Sequence, residues 1–174
     1  NVVLFAGGSS VFSPTSIPAT TANVGAAIRH IDACRGGGGT RLEAALEKSF
    51  QIPKTENASR SIIIVTDGYI AAEREVFSLI KNNLHQTSVF SFGIGKSVNR
   101  YLIEGMARAG LGEPFVVTKP QNAGHVAKKF REYIASPVLT DIRMECETFN
   151  TVDVVPRSIP DLFALRPVVV FGKW

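Results

Sequence analysis

Two oxygen-bearing residues stand where chemistry is possible. Thr40 follows the glycine run Gly36 to Gly39 and leads into Arg41-Leu42-Glu43, and Asp67 follows Ile62-Ile63-Ile64-Val65-Thr66 and precedes Gly68. A hydroxyl and a carboxylate are hard oxygen donors, the kind that hold Mg²⁺ or Ca²⁺. Each residue also has a purely structural reading. Thr40 with Glu43 has the form of a capping box, in which the threonine hydroxyl satisfies a backbone N–H of the first turn and the glutamate reaches back. Asp-Gly is a preferred turn pair after any strand. The pair gains weight only because the surrounding elements put both residues on loops at one edge of one sheet.

Those elements follow from the spacing of apolar residues. Val2 to Phe5 reads as a buried strand, and Gly7-Gly8-Ser9-Ser10 turns the chain toward Val11-Phe12 as a hairpin partner. From Thr20 the period becomes helical, with Val24, Ala27, Ile28 and Ile31 on one face, until the glycine run. Thr40 opens a second helix with Leu42, Ala45, Leu46 and Phe50 facing in, ended by Pro53. Ser61 to Val65 is a continuous apolar run of the type expected for a strand covered on both faces, at the centre of a sheet. A helix over 73–84, a strand over 88–95, a helix over 98–109 with Leu102, Ile103 and Met106 inward, a strand over 114–117 and a helix over 123–135 continue the alternation. Such alternation implies right-handed β-α-β units in an open, doubly wound, mainly parallel α/β sheet flanked by helices. Ligands bind such sheets outside the carboxyl ends of the strands, where Asp67 falls.

After Pro137 the alternation stops. Strands are expected over 139–147, 152–155 and 168–171, separated by Asn150, Pro156, Pro160 and Pro167 with no helix between them. The organisation expected is therefore an α/β domain over 1–136 and a short all-β segment over 137–174, part of a following β domain. Three strands are few for an independent sheet, so this segment should lean on the first domain or on another chain.

Composition narrows the function classes. A chain of 174 residues with 45% hydrophobic content can bury a substantial core without disulfides or metals. No apolar run approaches the roughly 20 residues of a membrane-spanning helix, so direct membrane insertion is not expected. The net charge of +4 is scattered apart from Lys128, Lys129 and Arg131, which read as a solvated helix face and not as a nucleic-acid stripe. Cys34 and Cys146 have no metal-ligand spacing and read as buried thiols, with a disulfide between them left open. His30, His85 and His125 are isolated. Asn57-Ala58-Ser59 is a glycosylation sequon, a triplet too common to carry weight alone.

The ordered segments resemble a known family, the von Willebrand factor type A domain. Gly36 to Leu42 is similar to that family's second metal-site loop, where a threonine after glycines helps bind the ion, and Ile62 to Gly68 to its third, where an aspartate follows a hydrophobic strand. Val89 to Gly95 with Ser97-Val98-Asn99 matches a further recurrent segment, and the likeness covers roughly 1–136. In the tail, Pro137 to Ile142, Val155 to Phe163 and Arg166 to Gly172 look like the segment that follows this domain in inter-alpha-trypsin inhibitor heavy chains and their bacterial relatives. The family's first loop, Asp-x-Ser-x-Ser, has no counterpart in residues 1–35; Ser9, Ser10 and Ser13 come after what resembles the second strand. The resemblance thus implies a partial domain lacking its first strand and helix, with two strands left with unpaired edges.

From the resemblance follow the functional expectations. The complete protein is expected to be a non-enzymatic protein-protein interaction or adhesion module with a metal-ion-dependent site. Thr40 and Asp67 would serve the metal, Mg²⁺ or Ca²⁺, and an acidic side chain of a protein partner would fill an open position on it. One hydroxyl and one carboxylate leave most ligand positions to water, so this chain alone is expected to bind the ion weakly or not at all. Self-association through Val2 to Phe5 or Ile62 to Val65, or a rearranged sheet, is expected from the open edges. A secreted or cell-envelope setting is implied by the resemblance alone. Two rivals stand beside this reading. One is a doubly wound enzyme of phosphoryl transfer or hydrolysis using Asp67, although the glycine run is followed by Thr-Arg and not by the Lys-Ser/Thr of a phosphate-cradling loop. The other is a purely structural scaffold.

Overall fold

The computed structural model describes every residue except 36, 56, 57, 69, 71, 85, 86, 136, 141, 149, 157, 158, 160 and 164–166. Gly36 of the glycine run, Asn57 of the sequon, His85, and Asp141, Arg157, Ser158, Pro160 and Arg166 of the tail motif lie outside the described residues. The chain begins with an antiparallel hairpin of β1 (Val3–Phe5) and β2 (Ser9–Val11), closed at its open end by a bond from the Phe12 N–H to the Val2 carbonyl. Helix α1 (Thr21–Asp32) follows, capped by the Thr20 hydroxyl, which accepts from the Asn23 N–H. Then come α2 (Leu42–Gln51), β3 (Ser61–Thr66), α3 (Glu73–Asn82), β4 (Ser88–Ile94), α4 (Arg100–Ala109), β5 (Pro114–Val117) and, after a 3-10 turn at Pro120–Asn122, α5 (Ala123–Ile134).

β3, β4 and β5 form a parallel sheet in that order, with Ser61 opposite Ser88 and Ser91 opposite Pro114 setting the registers. The strand at its centre is β4, not β3. Residues Ser88 to Gly93 are all buried, because their alternation feeds two separate cores. On one face Val89 packs with Ile64 of β3, Leu42 and Leu46 of α2, Val76 and Ile80 of α3, and Leu102, Ile103 and Met106 of α4. Each such side chain contributes about 1.5–3 kcal/mol by leaving water. Ser91 reaches the same face and satisfies its hydroxyl by donating to the Ile103 carbonyl at 2.7 Å. On the other face Phe90 and Phe92 meet Phe130 and Tyr133 of α5 in edge-to-face contacts, with Phe92 stacked on Phe115 of β5.

The expectation that Ser61 to Val65 is covered on both faces is corrected. Ile64 is 4% exposed, but Ile63 and Val65 are 46% and 48% exposed. The physical reason is the sheet order: β3 is an edge strand, and α5 covers β4 and β5 without reaching it. Helix α1 also carries its apolar face largely in the open. Its apolar stripe exists, but Val24, Ile28 and Ile31 are each more than 40% exposed and no α1 residue is buried.

The tail is two antiparallel pairs. β6 (Pro137–Leu139) pairs with β8 (Leu162–Phe163), and β7 (Val152–Val155) with β9 (Phe171–Lys173). The long strand expected over 139–147 ends at Leu139, since its partner offers two residues and no longer ladder can form; the last strand sits a little later than expected. The tail does lean on the α/β layers: Phe163 is buried against Phe90 and Tyr133. Ser59 also donates to the Asp161 carboxylate across the same junction. Cys34 and Cys146 are free and exposed, which corrects the buried-thiol reading; Cys34 lies just past α1, outside any core.

Candidate functional site

The carboxyl end of the parallel sheet gathers the loops that were singled out in the sequence. Asp67 directly follows β3, and a Cβ built on Gly95, just past β4, would lie 3.9 Å from the Asp67 Cβ. Two neighbouring strand exits thus meet at this carboxylate, which is exposed. Thr40 comes to the same place from the α2 side. Its Oγ1 lies 2.8 Å from where a Cβ on Gly68 would sit, so the hydroxyl rests directly on the backbone that follows Asp67. Gly68 leaves room for that approach as no other residue does. The Thr66 hydroxyl accepts from the Gly68 N–H at 3.2 Å and holds the turn that presents Asp67.

The capping-box reading of Thr40 is not realised. Helix α2 starts one residue later, with Arg41 in the cap position and no side-chain cap bond. The reason is a competing tether: the Arg41 N–H donates to the Ala6 carbonyl at 2.9 Å, tying the loop to the end of β1 and leaving the Thr40 side chain to face Gly68. The Thr40 hydroxyl is thereby free of capping and faces the backbone that follows the exposed Asp67.

One positioning contact was missed in the sequence. Asn99 is buried at the start of α4, where its Oδ1 accepts from the Leu102 N–H at 3.1 Å and its Nδ2 donates to Glu73 Oε1 at 2.7 Å. It therefore caps its own helix and joins the loop after β4 to the start of α3. The spacing of Ser97-Val98-Asn99 marked a helix start, but its bond to a residue 26 positions away has no local signature.

Thr40 and Asp67 also border a cleft of about 870 Å³ between β1 and β3, floored by Leu42, Ala45 and Leu46 of α2. Arg60 lies at its other end, where the guanidinium donates to the Phe50 and Ile52 carbonyls and locks the end of α2; partial burial lowers its pKa from the ordinary arginine value. Among the described residues no group of three or more His, Cys, Asp or Glu side chains is placed to hold a metal. The donor chemistry at Thr40 and Asp67 suits a hard cation, but two protein oxygens fall well short of the six or so that Mg²⁺ or Ca²⁺ takes. No helix among the described residues is long and apolar enough to cross a membrane.

A mainly parallel sheet flanked by helices, with the glycine-threonine and strand-aspartate loops meeting at its carboxyl edge, defines a doubly wound α/β domain. The chain belongs to the von Willebrand factor type A domain family, whose model matches residues 1–113. It is 25% identical over 165 residues, 94% of its length, to a von Willebrand factor A domain-containing protein of Dictyostelium discoideum. It is 26% identical over 171 residues, 91% of its length, to inter-alpha-trypsin inhibitor heavy chain H2 of Sus scrofa. The chain spans 8% and 18% of those two relatives respectively. Among solved structures, a von Willebrand factor type A protein from Catenulispora acidiphila superposes with a TM-score of 0.63 at 22% identity, over 75% of this chain and 31% of that one. That likeness supports the fold.

Proposed function

We propose that this chain is the interaction module of a longer protein, in which Thr40 and Asp67 contribute to a metal-ion-dependent adhesion site for a protein partner. The observation that carries the reading is the Thr40 hydroxyl, released from α2 capping and seated on Gly68 beside the exposed Asp67. Family membership supports the coarser half, a protein-interaction module. In the proposed site Thr40 and Asp67 would hold Mg²⁺ or Ca²⁺, further oxygens would come from water and from groups outside these loops, and an acidic side chain of the partner would complete the shell. The metal supplies the positive charge that makes a carboxylate-bearing partner bind. Asn99 and Glu73 would keep the adjoining loops in register.

The experiment is binding of the full-length protein to an array of Asp- and Glu-containing peptides in Mg²⁺, repeated in EDTA and with Asp67→Ala. Retention abolished by both treatments supports the reading. Retention indifferent to EDTA points to a scaffold, and phosphoester hydrolysis that scales with protein and vanishes in Asp67→Asn points to an enzyme.

A further inference from the structure

We infer that Lys96 and Lys119, at the exits of β4 and β5, form a cationic rim beside Asp67 that takes a second carboxylate of the partner. The partner segment is then an extended acidic one, with two acids separated by a single residue. The inference rests on the metal-site reading given above and deepens it by saying which partner such a site selects. It starts from where the chain puts charge along the carboxyl edge of the sheet. The first charged residue past β3 is Asp67, past β4 it is Lys96, and past β5 it is Lys119. One anion at the edge strand is followed, strand by strand, by two cations.

The backbone fixes these cations to the site. Gly95 has φ 116°, a left-handed conformation that suits glycine, and it turns the chain at the end of β4. Its N–H donates to the Val117 carbonyl at 3.0 Å, so the turn that carries Lys96 is bound to the last residue of β5, just ahead of Lys119. On its other side the same Gly95 is the close neighbour of Asp67, at 3.9 Å from an added Cβ to the Asp67 Cβ. Behind the turn the chain folds back. A Cβ on Gly93 would lie 2.3 Å from Val98 Cγ1, so Val98 sits over the strand end while Lys96 and Ser97 are left exposed.

Charge and spacing then define the occupant. Lys96 and Lys119 are both exposed, and among the described residues neither is in an ion pair, with Asp67 or with any other carboxylate. Glu73, at the start of α3, is already engaged by Asn99. Positive charge beside a cation site weakens the hold on the cation, since like charges a few ångströms apart repel. A partner that brings two carboxylates, one for the metal and one for the rim, offsets that repulsion. Neighbouring strands are about 4.8 Å apart, so the exits of β4 and β5 lie roughly 5 and 10 Å from that of β3. In an extended chain, side chains two residues apart point the same way and are about 7 Å apart. With one acid on the metal at Asp67, the acid two residues away falls between the two lysines.

The test measures dissociation constants of the full-length protein in Mg²⁺ for three blocked peptides. One is Gly-Ser-Asp-Ser-Glu-Ser-Gly, one has Gln in place of Glu, and one is longer and carries its Asp and Glu about six residues apart. The paired acids should bind about 5-fold more tightly than either control at ~50 mM salt, as two exposed ion pairs allow. That advantage should fall below ~2-fold in the double variant Lys96→Gln with Lys119→Gln, and shrink at ~500 mM salt. An advantage shared by the widely spaced acids, or one that survives in the double variant, overturns the inference. All three peptides binding alike, and only in Mg²⁺, leaves the metal site standing and overturns the rim alone. No Mg²⁺-dependent binding of any peptide overturns both.

Discussion

Gly68 places the fold and the site in different positions toward the same substitution. A methyl group there would meet the Thr40 hydroxyl at 2.8 Å, and that hydroxyl can swing aside by turning about one bond. Gly68→Ala should therefore change stability little, within about 0.5 kcal/mol by urea denaturation, yet, on the proposed reading of the site, weaken partner binding of the full-length protein in Mg²⁺ by ~10-fold or more. A loss of stability without loss of binding would contradict the placement of Thr40 in the site. In the chain by itself, calorimetric titration with Mg²⁺ or Ca²⁺ should give weak heat or none, because only two protein oxygens are in place; tight one-to-one binding would refute this. Thr40 and Asp67 were readable because each sits at a boundary between local patterns. That they share one sheet edge followed from the order of the elements; the contact of Thr40 with Gly68 and the tie from Asn99 to Glu73 did not, since both depend on residues 26 or more positions apart meeting in space.

Helix α4 shows how the elements hold that edge. Leu102, Ile103 and Met106 are at most 1% exposed, and the turn after the helix brings Gly112 so near β4 that an added Cβ would lie 2.2 Å from the Val89 carbonyl oxygen. Unlike a side-chain tip, that oxygen belongs to the backbone of the central strand and cannot move aside cheaply. Gly112→Ala should destabilise by about 1–3 kcal/mol, as overpacking does. Leu102→Ala should lose about 2–5 kcal/mol by opening a cavity. Both are read from the midpoint of urea unfolding, and an unchanged midpoint in either would contradict the packing. The helices and the strands over 88–94 and 114–117 were legible because period and length agree. The roles of β3 and β4 were misread because an apolar run reports affinity for burial, not whether a neighbour is present. Ile63 and Val65 have the composition of a two-sided strand without the cover, whereas β4 is covered on both faces despite Ser88 and Ser91.

For the molecule as one body, the tail matters more than its short strands suggest. Phe163, from a two-residue strand, closes the aromatic layer over Phe90, and the expectation that the tail leans on the α/β layers came from counting its strands; which residue does the leaning did not. Phe163→Ala should cost about 3–5 kcal/mol at most and expose the tail to limited proteolysis; an unchanged cleavage rate would show that the tail is held by other contacts. The aromatic layer has a further consequence in time. The parallel sheet is complete in the sequence at Val117, but its outer face is sealed only when α5 and then Phe163, 46 positions later (163 − 117), have been made. At roughly 5–20 residues per second of synthesis, the layer over Phe90 stays incomplete for roughly 2–9 s after the last strand of the sheet has been made. During that interval the growing polypeptide is a client for chaperones, and a stall between these two points would strand it with its stickiest surface in water.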